Sequence, residues 1–139
     1  MNTIGIFTGS TEKGIKMFKE YLDTFSSKEN VKYARIRYTT SRLTSPCAHP
    51  FEYPLCVFTT DDVVIGLADV TAGYCGEGPS GMVELLKYLG FSFDENEILS
   101  QRKAVKLDIL KEDVKLKKGF EQYFLLEHQY LVCPFEKAE

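Results

Sequence analysis

The segment from Asp69 to Phe91 constrains the fold of this chain more than any other part of the sequence. Its β-branched run ends at Thr71, four glycines fall within the nine residues 73–81, and an amphipathic helical pattern follows at once. A helix N-terminus carries unpaired N–H groups and a partial positive charge, and glycines let bare backbone approach a ligand. The segment therefore predicts a strand, a loop and a helix whose first turn binds an anion.

The glycine loop and the first turn of its helix are the leading candidate site. The backbone N–H groups of this segment would surround a phosphate or carboxylate, the Ser80 hydroxyl would add a donor, and Tyr74 would contact a base or sugar. An alternative, in which the glycines only form a tight turn, stays open. The candidate residues are Gly73, Tyr74, Gly76, Gly78, Ser80 and Gly81.

No known cofactor motif is complete in this loop. The run G-E-G-P-S-G has the glycine spacing of dinucleotide sites, but no acidic strand end follows about twenty residues later. The Gly-Lys-Ser/Thr triplet of a phosphate-binding P-loop is also missing. We therefore expect no cofactor, and a phosphorylated small molecule, with a nucleotide as the leading class, as the ligand.

A second strand, turn and helix begin the chain. Residues 3–8 read as a buried strand, and apolar residues then recur at helical spacing over about 11–26, with Ser10 or Thr11 as the N-cap. If this strand and the strand at 63–71 are neighbours in the sheet, both helix N-termini face one ligand. Ser10 and Thr11 are therefore further candidates for ligand binding.

Two arginines occupy one face of the alternating stretch 31–39. Arg35 and Arg37 point to one side with Tyr33, and the alternation predicts a half-solvated strand. Guanidinium groups suit phosphate oxygens, so either arginine would offset phosphate charge if this face lies beside the glycine loop. Otherwise we expect both to face solvent and to pair with acids.

The remaining pattern predicts an α+β fold in a single domain, residues 1–139. The sheet is expected to be mixed and mostly antiparallel, with two main helices at about 11–26 and 79–89. Gly78 and Pro79 would start the second helix and Gly90 would end it. Further predictions are a long proline-containing loop at 40–54, a hairpin of 55–60 with 63–71 through Asp61 and Asp62, a short helical turn near 94–97, strands at 104–110 and 129–133, and a helix or hairpin at 112–128.

Charge and composition exclude several classes of protein. A net charge of −3 and a pI of about 5.5 argue against a nucleic-acid polymer as partner. No apolar run approaches the ~18 residues of a membrane span, and the start of the chain lacks the pattern of a signal peptide, so a cytoplasmic protein without a membrane partner is expected. The four cysteines lack metal or disulfide spacing, and no metal site is predicted.

Two other classes of function remain open. Cys75 lies near a predicted helix N-terminus and could serve as a nucleophile with His49 or His128 as base, although no spacing brings them together. Alternatively, the protein is an interaction module or a homo-oligomer that pairs through an exposed edge strand at 31–39 or 129–133.

Overall fold

A five-stranded mixed sheet organises the computed structural model, which describes residues 2–38, 49–101, 104–121 and 133–136. Three α-helices and two short 3₁₀ turns accompany the sheet in these ranges. The strands are β1 (Asn2–Ile6), β2 (Val31–Arg37), β3 (Leu55–Thr59), β4 (Val63–Leu67) and β5 (Lys106–Leu110); the helices are α1 (Thr11–Phe25), α2 (Glu77–Tyr88) and α3 (Glu95–Leu99); the 3₁₀ turns are Lys28–Asn30 and Pro50–Glu52.

The strands lie in the order β1-β4-β3-β2-β5. The pair β1 and β4 is parallel, and the other three pairs are antiparallel. The predicted α+β class, with a mixed and mostly antiparallel sheet, is thereby confirmed. The predicted hairpin is also confirmed, since β3 and β4 are adjacent and Asp62 has a φ of 66°, a conformation that aspartate tolerates better than most residues.

Helices α1 and α2 cover one face of the sheet, here called the helical face. Ile15, Phe18 and Leu22 of α1 are buried in one core with Leu85 and Leu86 of α2 and the apolar side chains of the strands. A Cβ at Gly81 would lie 2.5 Å from Thr11 Cγ2 and 3.0 Å from Ile15 Cδ1. The glycine therefore lets the first turn of α2 lie directly against the first turn of α1.

The opposite face of the sheet is covered by the 3₁₀ turn Pro50–Glu52. A Cβ at Gly66 of β4 would lie 2.7 Å from the Pro50 carbonyl oxygen, and one at Gly5 of β1 would lie 2.7 Å from the Tyr53 hydroxyl. These two glycines leave room for the turn to pack flat on the strands. The prediction of a wholly irregular loop over 40–54 is thus wrong at its C-terminal part, because burial on the glycines orders residues 50–52; residues 39–48 lie outside the described part.

Two predictions for β2 are wrong: the strand lies between β3 and β5 and so is not an edge strand, and it is buried on both faces. Val31, Tyr33, Ala34, Arg35 and Ile36 are all buried, whereas the alternation predicted a half-solvated strand. The reason is a second aromatic core on the opposite face, in which Tyr33 packs with Phe51, Phe58 and Phe120. An alternating pattern with large aromatic and arginine side chains is therefore compatible with a covered face.

Helix α2 begins two residues earlier than predicted. Its N-cap is Gly76 rather than Gly78, and Pro79 occupies the third helical position. Proline is tolerated there because the first N–H groups of a helix have no partner within the helix. The predicted C-terminal signal is confirmed, since Gly90 has a φ of +84° and its N–H donates to the Lys87 carbonyl.

The strand predicted at 104–110 forms as β5, and the turn predicted near 94–97 forms as α3, with the Asp94 carboxylate accepting from the Asn96 N–H. After β5, the chain forms turns at 112–113 and 118–120, and Leu116 forms an isolated β-bridge with Phe135. Residues 129–132 of the strand predicted at 129–133, and residues 122–128 of the ambiguous segment 112–128, lie outside the described residues.

Candidate functional site

The candidate site lies where β1 and β4 end side by side. Because these strands are parallel neighbours, their carboxyl ends meet at one edge of the sheet, and helices α1 and α2 both start above that edge. The close approach of Gly81 to Thr11 places the two first turns in contact. The condition under which both helix N-termini could face one ligand is therefore met.

Asp69, just after β4, ties down the loop that follows β1. Its carboxylate accepts hydrogen bonds from the Thr8 N–H at 2.9 Å, the Thr8 hydroxyl at 2.8 Å and the Gly9 N–H at 2.8 Å. The Thr11 hydroxyl donates to the Asp69 carbonyl at 2.9 Å. These donors of the first loop therefore bind a carboxylate of the protein itself. Sequence reasoning missed this role, although an acid directly after a buried strand was a signal for it.

Ser10 caps α1, as predicted. Its hydroxyl oxygen accepts from the Lys13 N–H at 3.3 Å. Together with the contacts of Asp69, this cap gives Ser10 and Thr11 structural partners at the beginning of α1. The two residues lie beside the candidate site, but their side chains are already engaged.

The N-terminus of α2 differs from that of α1 because its N-cap residue, Gly76, has no side chain to cap the helix. The Ser80 N–H donates to the Gly76 carbonyl and so belongs to the helix, and Gly81 is buried against α1. The N–H groups of Glu77 and Gly78 occupy the first two helical positions, where a helix offers donors to a ligand. Ser80 follows Pro79 in α2, and its side chain is exposed.

Tyr74 lies beside this helix start and is half exposed. Its hydroxyl is 2.8 Å from Thr71 Oγ1, and a Cβ at Gly76 would lie 3.0 Å from the ring. A Cβ at Gly78 would collide with Thr71 Oγ1. Thr71, Tyr74, Gly76 and Gly78 thus form one cluster, whereas Gly73 anchors the loop by donating from its N–H to the Ile98 carbonyl at 2.8 Å.

Cys75 is exposed, and its thiol donates to the Leu99 carbonyl at 3.3 Å. His49 has a structural contact elsewhere, since its Nδ1 accepts from the Phe51 N–H and caps the 3₁₀ turn. His128 and Cys47 lie outside the described residues. The described contacts of His49 and Cys75 thus do not join these two side chains for nucleophilic catalysis.

Arg35 does not lie at the predicted phosphate site beside the glycine loop. Its side chain is only 2% exposed and forms ion pairs with Asp108 at 2.7 Å and Glu121 at 2.8 Å, while its guanidinium lies 4.8 Å from the centre of the Phe51 ring. The expectation of a solvent-facing arginine is therefore wrong, because aromatic rings cover this face of β2. The expected pairing with acids is present.

Arg37 shares that face, and its Nε donates to the Phe51 carbonyl at 3.0 Å. Both arginines point to the face opposite α1 and α2, so the structure does not bring them to the N-terminus of α2. Hydrogen bonds from Arg35 and Lys106 lower the pKa of Glu121 from 4.5 to about 2, which keeps this carboxylate charged and paired.

Comparison with protein-family models, with curated proteins and with solved structures finds no match to this chain. Within the described ranges, no group of three or more His, Cys, Asp and Glu side chains is arranged to hold a metal ion. No helix in the same ranges is both long and apolar enough to cross a membrane.

Proposed function

We propose that this protein binds a phosphorylated small molecule, with a nucleotide as the leading class, at the N-terminus of α2. One observation carries the proposal: this helix starts without a side-chain cap, next to the half-exposed ring of Tyr74. An uncapped helix start offers N–H donors and a favourable field to an anion, and an exposed ring offers a surface for a base.

The contrast with α1 supports the choice of helix. The Ser10 hydroxyl caps α1, and the Asp69 carboxylate fills the loop before it. At α2, the N–H groups of Glu77 and Gly78 and the Ser80 hydroxyl supply the donors for a phosphate. Because Arg35 and Arg37 lie on the other face of the sheet, the backbone has to balance the ligand's charge, which favours one phosphate group over three.

A thermal-shift screen of nucleoside monophosphates, triphosphates and sugar phosphates tests the proposal. A ligand present at a hundred times its dissociation constant stabilises the folded state by about 2.7 kcal/mol, which is a readily measured shift. We expect stabilisation by a monophosphate. The proposal is wrong if none of these compounds shifts the melting temperature or appears bound in native mass spectrometry.

A pair of variants at Gly76 separates binding from folding. Aspartate and asparagine are both good N-cap residues, so Gly76→Asp and Gly76→Asn should each keep or slightly raise the stability of the free protein. Both add the same Cβ beside the Tyr74 ring. Only the aspartate places a negative charge at the phosphate position, so we expect Gly76→Asp to weaken ligand binding more than Gly76→Asn. Equal affinities in the two variants would place the ligand elsewhere.

Tyr74→Leu tests the proposed contact between the Tyr74 ring and the base of a nucleotide. Loss of the ring should weaken binding of a nucleotide by about tenfold, since stacking of a base on an aromatic side chain contributes roughly 1–3 kcal/mol. Binding of a sugar phosphate should change little. An equal loss for both ligands would mean that Tyr74 acts on the loop and makes no contact with a base.

A further inference from the structure

Among the described strands, β1 pairs only with β4 and forms one edge of the sheet. Its Asn2 N–H donates to the Asp62 carbonyl, and its Ile6 carbonyl accepts from the Ala68 N–H, so these residues point their peptide groups toward β4. Peptide groups alternate in direction along a strand, so those of Thr3 and Gly5 point outward. Both residues are exposed.

Strand β1 lacks one common protection against pairing, a charged side chain. Edge strands are commonly blunted by charged side chains, and the other edge strand, β5, carries Lys106 and Asp108. The sequence of β1, N-T-I-G-I, contains no charge. An open, uncharged edge is a template for another strand.

An apolar flank of α1 overhangs the same edge. Met17, Tyr21 and Phe25 are spaced four residues apart and are 37%, 38% and 47% exposed, and the Tyr21 and Phe25 rings stack at 6.3 Å. Residues at this spacing form one stripe along a helix. Helix α1 packs on β1 and β4, and α2 lies against its other side through Thr11 and Ile15, so the stripe faces away from α2.

We infer that the β1–α1 edge, meaning the outer edge of β1 with Met17, Tyr21 and Phe25, binds a second copy of this chain. Two β1 strands pair in antiparallel fashion about a two-fold axis at Ile4. This register sets Thr3 opposite the partner's Gly5, and their outward N–H and C=O groups form four backbone hydrogen bonds across the axis. The two sheets then become one ten-stranded sheet.

Charge complementarity favours a second copy over an unrelated strand. Lys13 lies four residues before Met17 and Glu20 lies three residues after it, and both are exposed. When two α1 helices run antiparallel about an axis near Met17, each Lys13 lies beside the partner's Glu20. One two-fold axis thus pairs the outward peptide groups of β1 and also brings each Lys13 beside the partner's Glu20.

The size of the surface suits a dimer. Helix α1 has 15 residues, which at 1.5 Å per residue is about 22 Å long. The helix is about 10 Å across and the sheet layer beneath it is about 10 Å thick, so this side of the molecule is about 20 Å high and covers roughly 440 Å² on each copy. The total of roughly 900 Å² lies just below the roughly 1,000 Å² of a stable specific interface and suits a weak dimer.

The first experiment is light scattering and sedimentation equilibrium over a range of concentrations. We expect a species of twice the 15.8 kDa chain mass. Met17→Lys sets two like charges near the axis and removes apolar contact, and should weaken association by at least about tenfold. Val105→Lys, on an exposed residue just before β5, is the matched control and should leave the mass unchanged.

Two further pairs of variants test the register. Thr3→Pro removes an outward N–H and should weaken association by about tenfold, whereas Thr3→Val keeps this donor and the dimer. Lys13→Glu should weaken association by about two- to fivefold, and Lys13→Glu combined with Glu20→Lys should restore it.

A monomeric mass at every concentration would overturn the inference. So would a dimer that Met17→Lys and Thr3→Pro leave intact, because another surface would then hold it. Circular dichroism of each variant separates loss of pairing from loss of fold.

Discussion

Asp69 shows what a single residue contributes at this edge of the sheet. Its side chain joins the ends of two strands that are neighbours in space and 61 residues apart in sequence, at Thr8 and Asp69. The local sequence predicted the Ser10 cap, since a cap and its helix are adjacent in the chain. It could not predict the partners of Asp69 or of Arg35, because those depend on which strands become neighbours.

Asp69→Asn should destabilise the fold. The replacement amide turns one acceptor oxygen into a donor that faces the N–H groups of Thr8 and Gly9, and the free energy of unfolding should fall by about 1–3 kcal/mol. Urea denaturation measures the change. Asp62→Asn is the matched control, since asparagine tolerates the positive φ of that turn, and it should stay close to wild type. Equal losses in the two variants would contradict the role of Asp69.

At the scale of elements, periodicity predicted the helices and the hairpin well. It failed where a second layer covers a face, as on β2, and where a proline-containing segment gains order from the strands beneath it. That packing depends on Gly5 and Gly66. A glycine within a strand pattern predicts that another group approaches closely, but it does not predict which group.

Gly66→Ala and Gly5→Ala should have different outcomes. The new methyl at residue 66 meets backbone atoms of Pro50, which cannot yield alone, so we expect a loss of about 1–3 kcal/mol in the free energy of unfolding. The methyl at residue 5 meets the end of the Tyr53 side chain, and Tyr53→Phe removes the atom it approaches most closely.

The test is chemical denaturation of both single variants, each with and without Tyr53→Phe. We expect Tyr53→Phe to recover part of the loss in Gly5→Ala and none in Gly66→Ala. If Gly66→Ala is as stable as wild type, the 3₁₀ turn does not depend on this close approach.

For the whole molecule, the fold class followed from composition and from the sequence of elements, while the order of the strands did not. Nothing in residues 2–6 indicates that this strand pairs with β4 rather than with β2. Likewise, the acids that reach Arg35 are Asp108 of β5 and Glu121 after it, so a charge network links β2 with β5 and with the chain that follows β5.

This network predicts a pH dependence of stability. The pKa of Glu121 is lowered from 4.5 to about 2 in the folded protein, so its contribution is complete above about pH 4.5 and is lost as the pH falls toward about 2. We expect the free energy of unfolding to fall less steeply between about pH 5 and pH 2.5 in Glu121→Gln than in wild type.

Urea denaturation at a series of pH values measures this slope. Glu84→Gln removes an exposed carboxylate of α2 and serves as the control, with a slope close to that of wild type. Asp61 and Asp113 also have lowered pKa values and titrate in both proteins, so the difference between the variants isolates Glu121. Parallel curves for wild type and Glu121→Gln would contradict the assignment.

Because Gly81 has no side chain, the first turns of α1 and α2 lie in direct contact, and a shift of one changes its packing against the other. Helix α1 thus belongs both to the proposed ligand site, through this contact, and to the proposed interface, through Met17. A ligand that moves α2 would change the affinity of one copy for another, and association would change the affinity for the ligand by the same factor, because thermodynamic linkage is reciprocal. The lack of a Cβ at Gly81 would then couple ligand binding to dimerisation, so that the fraction of protein with bound ligand would depend on the protein concentration.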